Sequence, residues 1–151
     1  MQISEAMSSD VQIMSPDQPI KDAARKMAEI DAGFLPIGEN DRLVGIITDR
    51  DIAVRAVAAG LPPETPIRQI MTREVQYCFD EDDIDAVADA MAEIKIRRMP
   101  VLNSDKRLVG VVSIGDIAVV DGPDNAGAAL CGISEPGGMH SQTGDGARMS
   151  A

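Results

Sequence analysis

Tryptophan is absent from this chain of 151 residues, aromatic residues amount to 2%, and there is one histidine, His140. A core must then be built from Ile, Val, Leu, Ala and the nine Met. A single histidine in a weakly patterned tail argues against a His-based triad or a multi-histidine metal site. The two cysteines, Cys78 and Cys131, form no CxxC pair, so reduced thiols in a cytoplasmic protein are expected. No apolar run reaches membrane-spanning length, and no charged-then-apolar leader opens the chain. A soluble intracellular protein with no membrane partner is expected. The P-loop and the dinucleotide GxGxxG are missing too. Basic residues are a minority. The formal charge of −11 argues against a nucleic-acid partner, because an acidic surface repels phosphate backbones. It leaves room for a small anionic ligand, which responds to local donors rather than to net charge.

What is present is a duplication. Residues 3–37 map onto 67–101 at an offset of 64, pairing Met7 with Met71, "MAEI" with "MAEI" and Pro36 with Pro100. One extra residue in the turn "NSDK" at 103–106 then moves the offset to 65, pairing Gly45 with Gly110 and Asp51 with Asp116. Hairpin loops absorb such insertions readily. Each copy reads as strand, helix, two strands and helix. The first strands are "VQIM" at 11–14 and "VQYCF" at 75–79. The first helices carry one apolar face: Ile20, Ala23, Ala24, Met27 and Ile30, then Ile84, Val87, Ala88, Met91 and Ile94. Asp17 and the acidic run 80–83 supply negative charge at the helix starts. A hairpin follows, and the second helix of copy 1 runs from near Asp49 to Gly60.

The expected organisation is repeat 1 over 3–60, a linker over 61–66, repeat 2 over 67–120 and a Gly/Ser-rich tail over 121–151. "DGPD" should break the last helix, leaving the tail loose, with room for one short helix around "NAGAALCG". A unit of 50–60 residues buries little surface alone. The expected fold is therefore α/β (α+β), two β-α-β-β-α repeats packed sheet to sheet with pseudo-two-fold symmetry.

The repeated stretches "LVGIITDRDIAV" and "LVGVVSIGDIAV" hold the candidate chemistry. Thr48 with Asp51, and Ser113 with Asp116, have capping-box spacing. The same pairs stand where a strand becomes a helix, and unpaired N–H groups there suit a phosphate. A carboxylate can also accept both vicinal hydroxyls of a ribose. Gly45 and Gly110 admit a close backbone or a flat ring. Cap and ligand site both remain open on pattern alone. "DEDD" at 80–83 reads as a solvated helix start rather than a metal site, and Met7, Met27, Met71 and Met91 as core.

These residues carry a resemblance. The duplicated order, the apolar-Pro-apolar strands at Pro36 and Pro100, and the G-h-h-[ST]-x-x-D signature at 45–51 and 110–116 resemble a tandem pair of CBS domains, the Bateman module. The likeness covers roughly residues 3–120, and extends to small stand-alone bacterial members. It implies a non-catalytic regulatory module that binds adenosine-containing ligands (AMP, ADP, ATP, NAD or S-adenosylmethionine) in clefts between the repeats. Asp51 and Asp116 would hold ribose, Thr48 and Ser113 ribose or phosphate, and Ile46 or Val111 would wall the adenine. The opposite repeat would contribute Gln12 with Ala32 and Gly33, or Gln76 with Ile96 and Arg97. Arg98 matches a phosphate-binding position, where repeat 1 has Phe34, which reads as core; Arg50 is the available substitute. The plain alternative for Arg97 and Arg98 is a solvated strand edge. The resemblance also implies a homodimer and an unidentified regulated protein. No catalytic cofactor, catalytic residue or metal ligand is expected. The competing function is a structural dimerisation module with ligand-free clefts.

Overall fold

The structure is a computed structural model that describes residues 1–136. His140 lies outside them. The chain is mixed α+β with two sheets. Repeat 1 contributes α1 (Ile20–Ile30), β1 (Phe34–Glu39), β2 (Arg42–Thr48) and the short α2 (Asp49–Asp51), which runs on as a π-helix over Ile52–Val57. Repeat 2 contributes β3 (Cys78–Phe79), α3 (Ile84–Ile94), β4 (Arg98–Leu102), β5 (Leu108–Ser113) and α4 (Ile114–Asp121), followed by α5 (Pro123–Ser134). β1 and β2 form an antiparallel pair with Phe34 opposite Thr48. β3, β4 and β5 form the other sheet in that order, with β3 parallel to β4.

Two compact units result, and each takes its leading segment from the other repeat. One unit is Met1–Asp10 with Tyr77–Asp105 and the described residues from Val109 onward; the other is Val11–Gln76 with Lys106–Leu108. In the first, Ile3 N–H donates to Asp82 O (2.9 Å), Ser4 N–H to Asp80 O (3.0 Å) and Ile84 N–H to Met1 O (2.9 Å). In the second, the equivalent bonds run from Ile67 N–H to Gln18 O (2.9 Å), Arg68 N–H to Pro16 O (2.9 Å) and Ile20 N–H to Thr65 O (2.8 Å). Ile3 and Ile67, both fully buried, anchor the two segments. Each burial of that kind contributes roughly 1.5–3 kcal/mol. Arg68 also bridges Glu39 (2.8 Å) and Asp17 (3.2 Å). Those hydrogen bonds, Glu39 first, push its pKa further up.

The helix faces form largely as periodicity predicts. Ile20, Ala23 and Met27 are buried in α1, and Ile84, Val87, Ala88 and Met91 in α3. Ala24 is exposed, and Ile30 and Ile94 are each 38% exposed, so the buried stripe is narrower than expected. α1 starts after Pro19, not at Asp17, which pairs with Arg68 instead. The first strands shrink. Residues 11–14 keep one parallel bridge, Met14 to Ile37, and 75–79 keep two strand residues. Buried Cys78 has its thiol pushed up to about 12, by burial first and then by Asp82. Cys131 is exposed, and both thiols are free.

The loose tail expected from 121 onward is corrected for its first part. α4 does end at "DGPD", at Asp121, and the helix around "NAGAALCG" forms, but Pro123 occupies the first turn of α5, where a missing N–H costs nothing, so this helix is 12 residues long. Gly122, at φ +92°, makes the turn out of α4 in a conformation most side chains avoid. α5 packs on α3 and α4, burying Ala126 and Ala129. A Cβ on Gly132 would sit 2.9 Å from Ala92 Cβ, so the two helices meet through small residues. Lys95 Nζ donates to Gly132 O at 3.0 Å, and Asn125 bonds Asp121 at 2.8 Å and also Asp85.

Candidate functional site at two helix starts

Both repeated stretches form complete capping boxes. Thr48 Oγ1 accepts the Asp51 N–H at 3.0 Å, and Asp51 Oδ2 accepts the Thr48 N–H at 3.0 Å. Ser113 Oγ accepts the Asp116 N–H at 3.0 Å, and Asp116 Oδ2 accepts the Ser113 N–H at 2.9 Å. The local reason is the same twice: an extended residue with a hydroxyl ends the strand, and a carboxylate three residues on returns the bond. One oxygen of each carboxylate, Oδ1, is left over from the cap.

The glycines of the motif are used by the protein's own backbone. Ile46 and Thr72 exchange N–H···O bonds at 3.0 and 2.9 Å, as do Val111 and Ser8 at 3.0 and 2.9 Å. A Cβ on Gly45 would lie 2.8 Å from Met71 Sδ and 2.9 Å from Thr72 O; on Gly110 it would lie 2.6 Å from Met7 Sδ and 2.8 Å from Ser8 O. Strand alternation puts Ile46 with Thr48, and Val111 with Ser113, on one half-buried face, while Ile47 and Val112 are buried on the other. The exchanged segment thus brings a hydroxyl residue, Thr72 or Ser8, beside the strand that ends in the cap.

The residues before each proline lie against the helix start of their own repeat. Asp49 N–H donates to Gly33 O at 3.0 Å, and Ile114 N–H donates to Arg97 O at 3.0 Å. Beyond this the copies diverge. At α2, Asp49 Oδ1 accepts the Arg50 N–H at 2.8 Å, and a Cβ on Gly33 would be 2.6 Å from Asp49 Oδ2. Arg55 Nε stands 3.7 Å from Asp51 Oδ1, whose carboxylate is only 5% exposed. At α4, the equivalents of Asp49 and Arg55 are Ile114 and Val120, neither charged. Among the described residues the Gly115 N–H has no acceptor and the exposed Arg97 and Arg98 have no ion pair; Asp116 is half-buried. The second start therefore has an open amide, and the chain bonded to it through Arg97 O carries two exposed cations.

The sequence model of the CBS domain matches residues 3–57 and 67–121. This chain belongs to the CBS-domain family. It is 35% identical over 133 residues to the CBS domain-containing protein YhcV of Bacillus subtilis, covering 87% of this chain and 94% of the relative. A crystal structure of Hypoxic Response Protein I with two coordinated zinc ions superposes at a TM-score of 0.72, with 35% identity, over 80% of this chain and 98% of that one. The CBS domain pair of MJ0100, in complex with 5'-methylthioadenosine and S-adenosyl-L-methionine, superposes at 0.72 with 31% identity, over 81% of this chain and 96% of that one. Among the described residues no group of three or more His, Cys, Asp or Glu comes together as a metal site, and no helix is long and apolar enough to cross a membrane.

Within the CBS pair, Ser113, Asp116, Val111, Ile96, Arg97 and Arg98 lie in one compact unit, and Thr48, Asp51, Ile46, Ala32, Gly33 and Arg50 in the other. Backbone bonds from Asp49 to Gly33 and from Ile114 to Arg97 fix the residues before each strand against the helix start of their own repeat. Gln12 is half-buried and Gln76 exposed, and among the described residues no hydrogen bond ties either to a helix start. Phe34 is buried, as a core residue should be. Arg50 is exposed and makes no ion pair among the described residues. Sequence reasoning missed Ser8 and Thr72. The signal was available, since the aligned Met7 and Met71 are each followed by a hydroxyl residue.

Proposed function

We propose that this CBS pair is a non-catalytic regulatory module that binds an adenosine-containing ligand, in the class AMP, ADP, ATP or NAD, at the start of α4. The observation that carries the reading is the open Gly115 N–H next to Ile114, whose own N–H is bonded to Arg97 O, with Arg97 and Arg98 exposed and without an ion pair among the described residues. A helix start with a free amide and a nearby guanidinium favours a phosphate. Asp116 Oδ1 is the acceptor for ribose hydroxyls, Val111 packs against adenine, Ser113 adds a hydroxyl, and Arg98 meets the phosphate. The 5'-methylthioadenosine and S-adenosyl-L-methionine held by the MJ0100 pair support the adenosine part of this reading; neither carries a phosphate, so the phosphate preference rests on the α4 start alone. The module works in the cytoplasm as a homodimer, and its ligand shifts the affinity for a regulated protein partner by favouring one of two states.

A thermal-shift screen of nucleotide-free protein with AMP, ADP, ATP, NAD and S-adenosylmethionine tests the reading. A ligand at 100 times its dissociation constant adds about 2.7 kcal/mol of stability. No shift with any of the five would leave a structural dimerisation module with ligand-free clefts as the better account.

A further inference from the structure

We propose that the first CBS repeat is closed to ligand by its own side chains, with Asp49 in the place of a phosphate and Arg55 on the ribose-binding carboxylate. The inference rests on the reading that the α4 start takes an adenosine phosphate, and it names which half of the pair responds. Three observations converge on it. The Arg50 N–H, equivalent to the open Gly115 N–H, is capped by Asp49 Oδ1 at 2.8 Å. The other Asp49 oxygen lies over Gly33, where a Cβ would come within 2.6 Å, so the carboxylate fills the space before the strand. At the equivalent place repeat 2 has Arg97.

Arg55 completes the closure. Its Nε lies 3.7 Å from Asp51 Oδ1, and its guanidinium also donates to Ile70 O at 3.2 Å, which holds the side chain beside Asp51. Asp51 Oδ2 is committed to the cap, and the Arg55 guanidinium faces Oδ1, the oxygen a sugar would use. The π-helix over Ile52–Val57 contains Arg55, whereas α4 is a regular α-helix with Val120 there. A negative carboxylate at the phosphate position also repels a phosphorylated ligand. The pair then carries one responsive site and one permanently self-occupied site, so ligand is read by one repeat only.

Calorimetric titration with AMP tests this. Wild type binds one AMP per chain, and Asp116→Asn abolishes that event. The double variant Asp49→Ala/Arg55→Met binds two, and adding Asp116→Asn to it returns one. Two AMP per chain in wild type, or one in the double variant, overturns the proposal. If wild type binds no AMP, the functional reading fails, and the closure is judged without ligand by the 15N resonance of the Arg55 Nε–H. A resolved, exchange-protected resonance that is lost in Asp51→Asn supports closure. A resonance merged with solvent-exposed arginines in wild type contradicts it.

Discussion

At the start of α2 each first-turn amide has an acceptor: Gly33 O for Asp49, the Asp49 carboxylate for Arg50, and Thr48 Oγ1 for Asp51. At the start of α4 the Ile114 and Asp116 amides are satisfied in the same way, and the Gly115 amide is not. The two caps descend from one duplicated motif and have almost identical bond lengths. What differs lies one shell out, at Gly33 against Arg97, Phe34 against Arg98, Asp49 against Ile114 and Arg55 against Val120. A repeated motif therefore specifies a local backbone arrangement, and its neighbours decide whether that arrangement is spent on the protein or offered to a ligand.

The helices behind the caps differ too, and they give the largest expected effect. α5 covers α3 and buries Ala88, which is 2% exposed, whereas the equivalent Ala24 in α1 is exposed. Ala88→Asp should cost about 3 kcal/mol or more, as an unpaired charge in a packed interface. Ala24→Asp should stay within about 0.5 kcal/mol. Denaturant unfolding of both variants measures the contrast, and equal costs would mean that α5 does not cover α3 in solution.

The glycine contacts should make the two repeats alike. Gly45→Ala and Gly110→Ala each force a methyl against a methionine sulfur and a backbone carbonyl. Each should cost about 1–3 kcal/mol. Hydrogen exchange should rise at Thr72 in the first variant and at Ser8 in the second. The caps themselves should also match: Thr48→Ala and Ser113→Ala should each cost about 0.5–2 kcal/mol in thermal unfolding. A difference beyond that range would show that the caps are not equivalent.

Alkaline pH should separate the cores by a smaller amount. Cys78 and its counterpart Met14 are both buried, but only the thiol titrates. Its pKa is raised from 9.0 to about 12 in the fold, so the unfolded chain releases the proton first. Stability is full below pH 9 and falls as pH rises towards 12, by roughly 1 kcal/mol at pH 10. Cys78→Met should remove that decline, read as the pH dependence of unfolding.

The duplication, the hairpins, the inner helix faces and both caps were legible because each is set by residues close in sequence. α5 was not. Its small residues lack an amphipathic stripe, and Pro123 signals a break unless it falls in the first turn of a new helix, where it does. Ala24 and Ile30 fit the apolar period, yet they lie on the flank of the stripe, where no element of their unit covers them. At the site, the motif residues were legible and their surroundings were not. The Asp51–Arg55 spacing allows a pair on one helix face, but only the three-dimensional arrangement puts Ile70 O within reach of the same guanidinium. The exchange of leading segments between repeats was hidden as well, because bonds such as Ile3 to Asp82 join residues far apart in the chain.

The central claim is that the α4 start, through Arg98, recognises a phosphate attached to adenosine. The direct measurement is calorimetric titration of wild type and Arg98→Ala with AMP and with adenosine. Loss of a charged hydrogen bond of about 1.5–3 kcal/mol should weaken AMP roughly ten- to a hundredfold. Adenosine, which lacks the phosphate, should change less than about twofold, since it never made that bond. Equal AMP affinity in the two proteins would contradict the account.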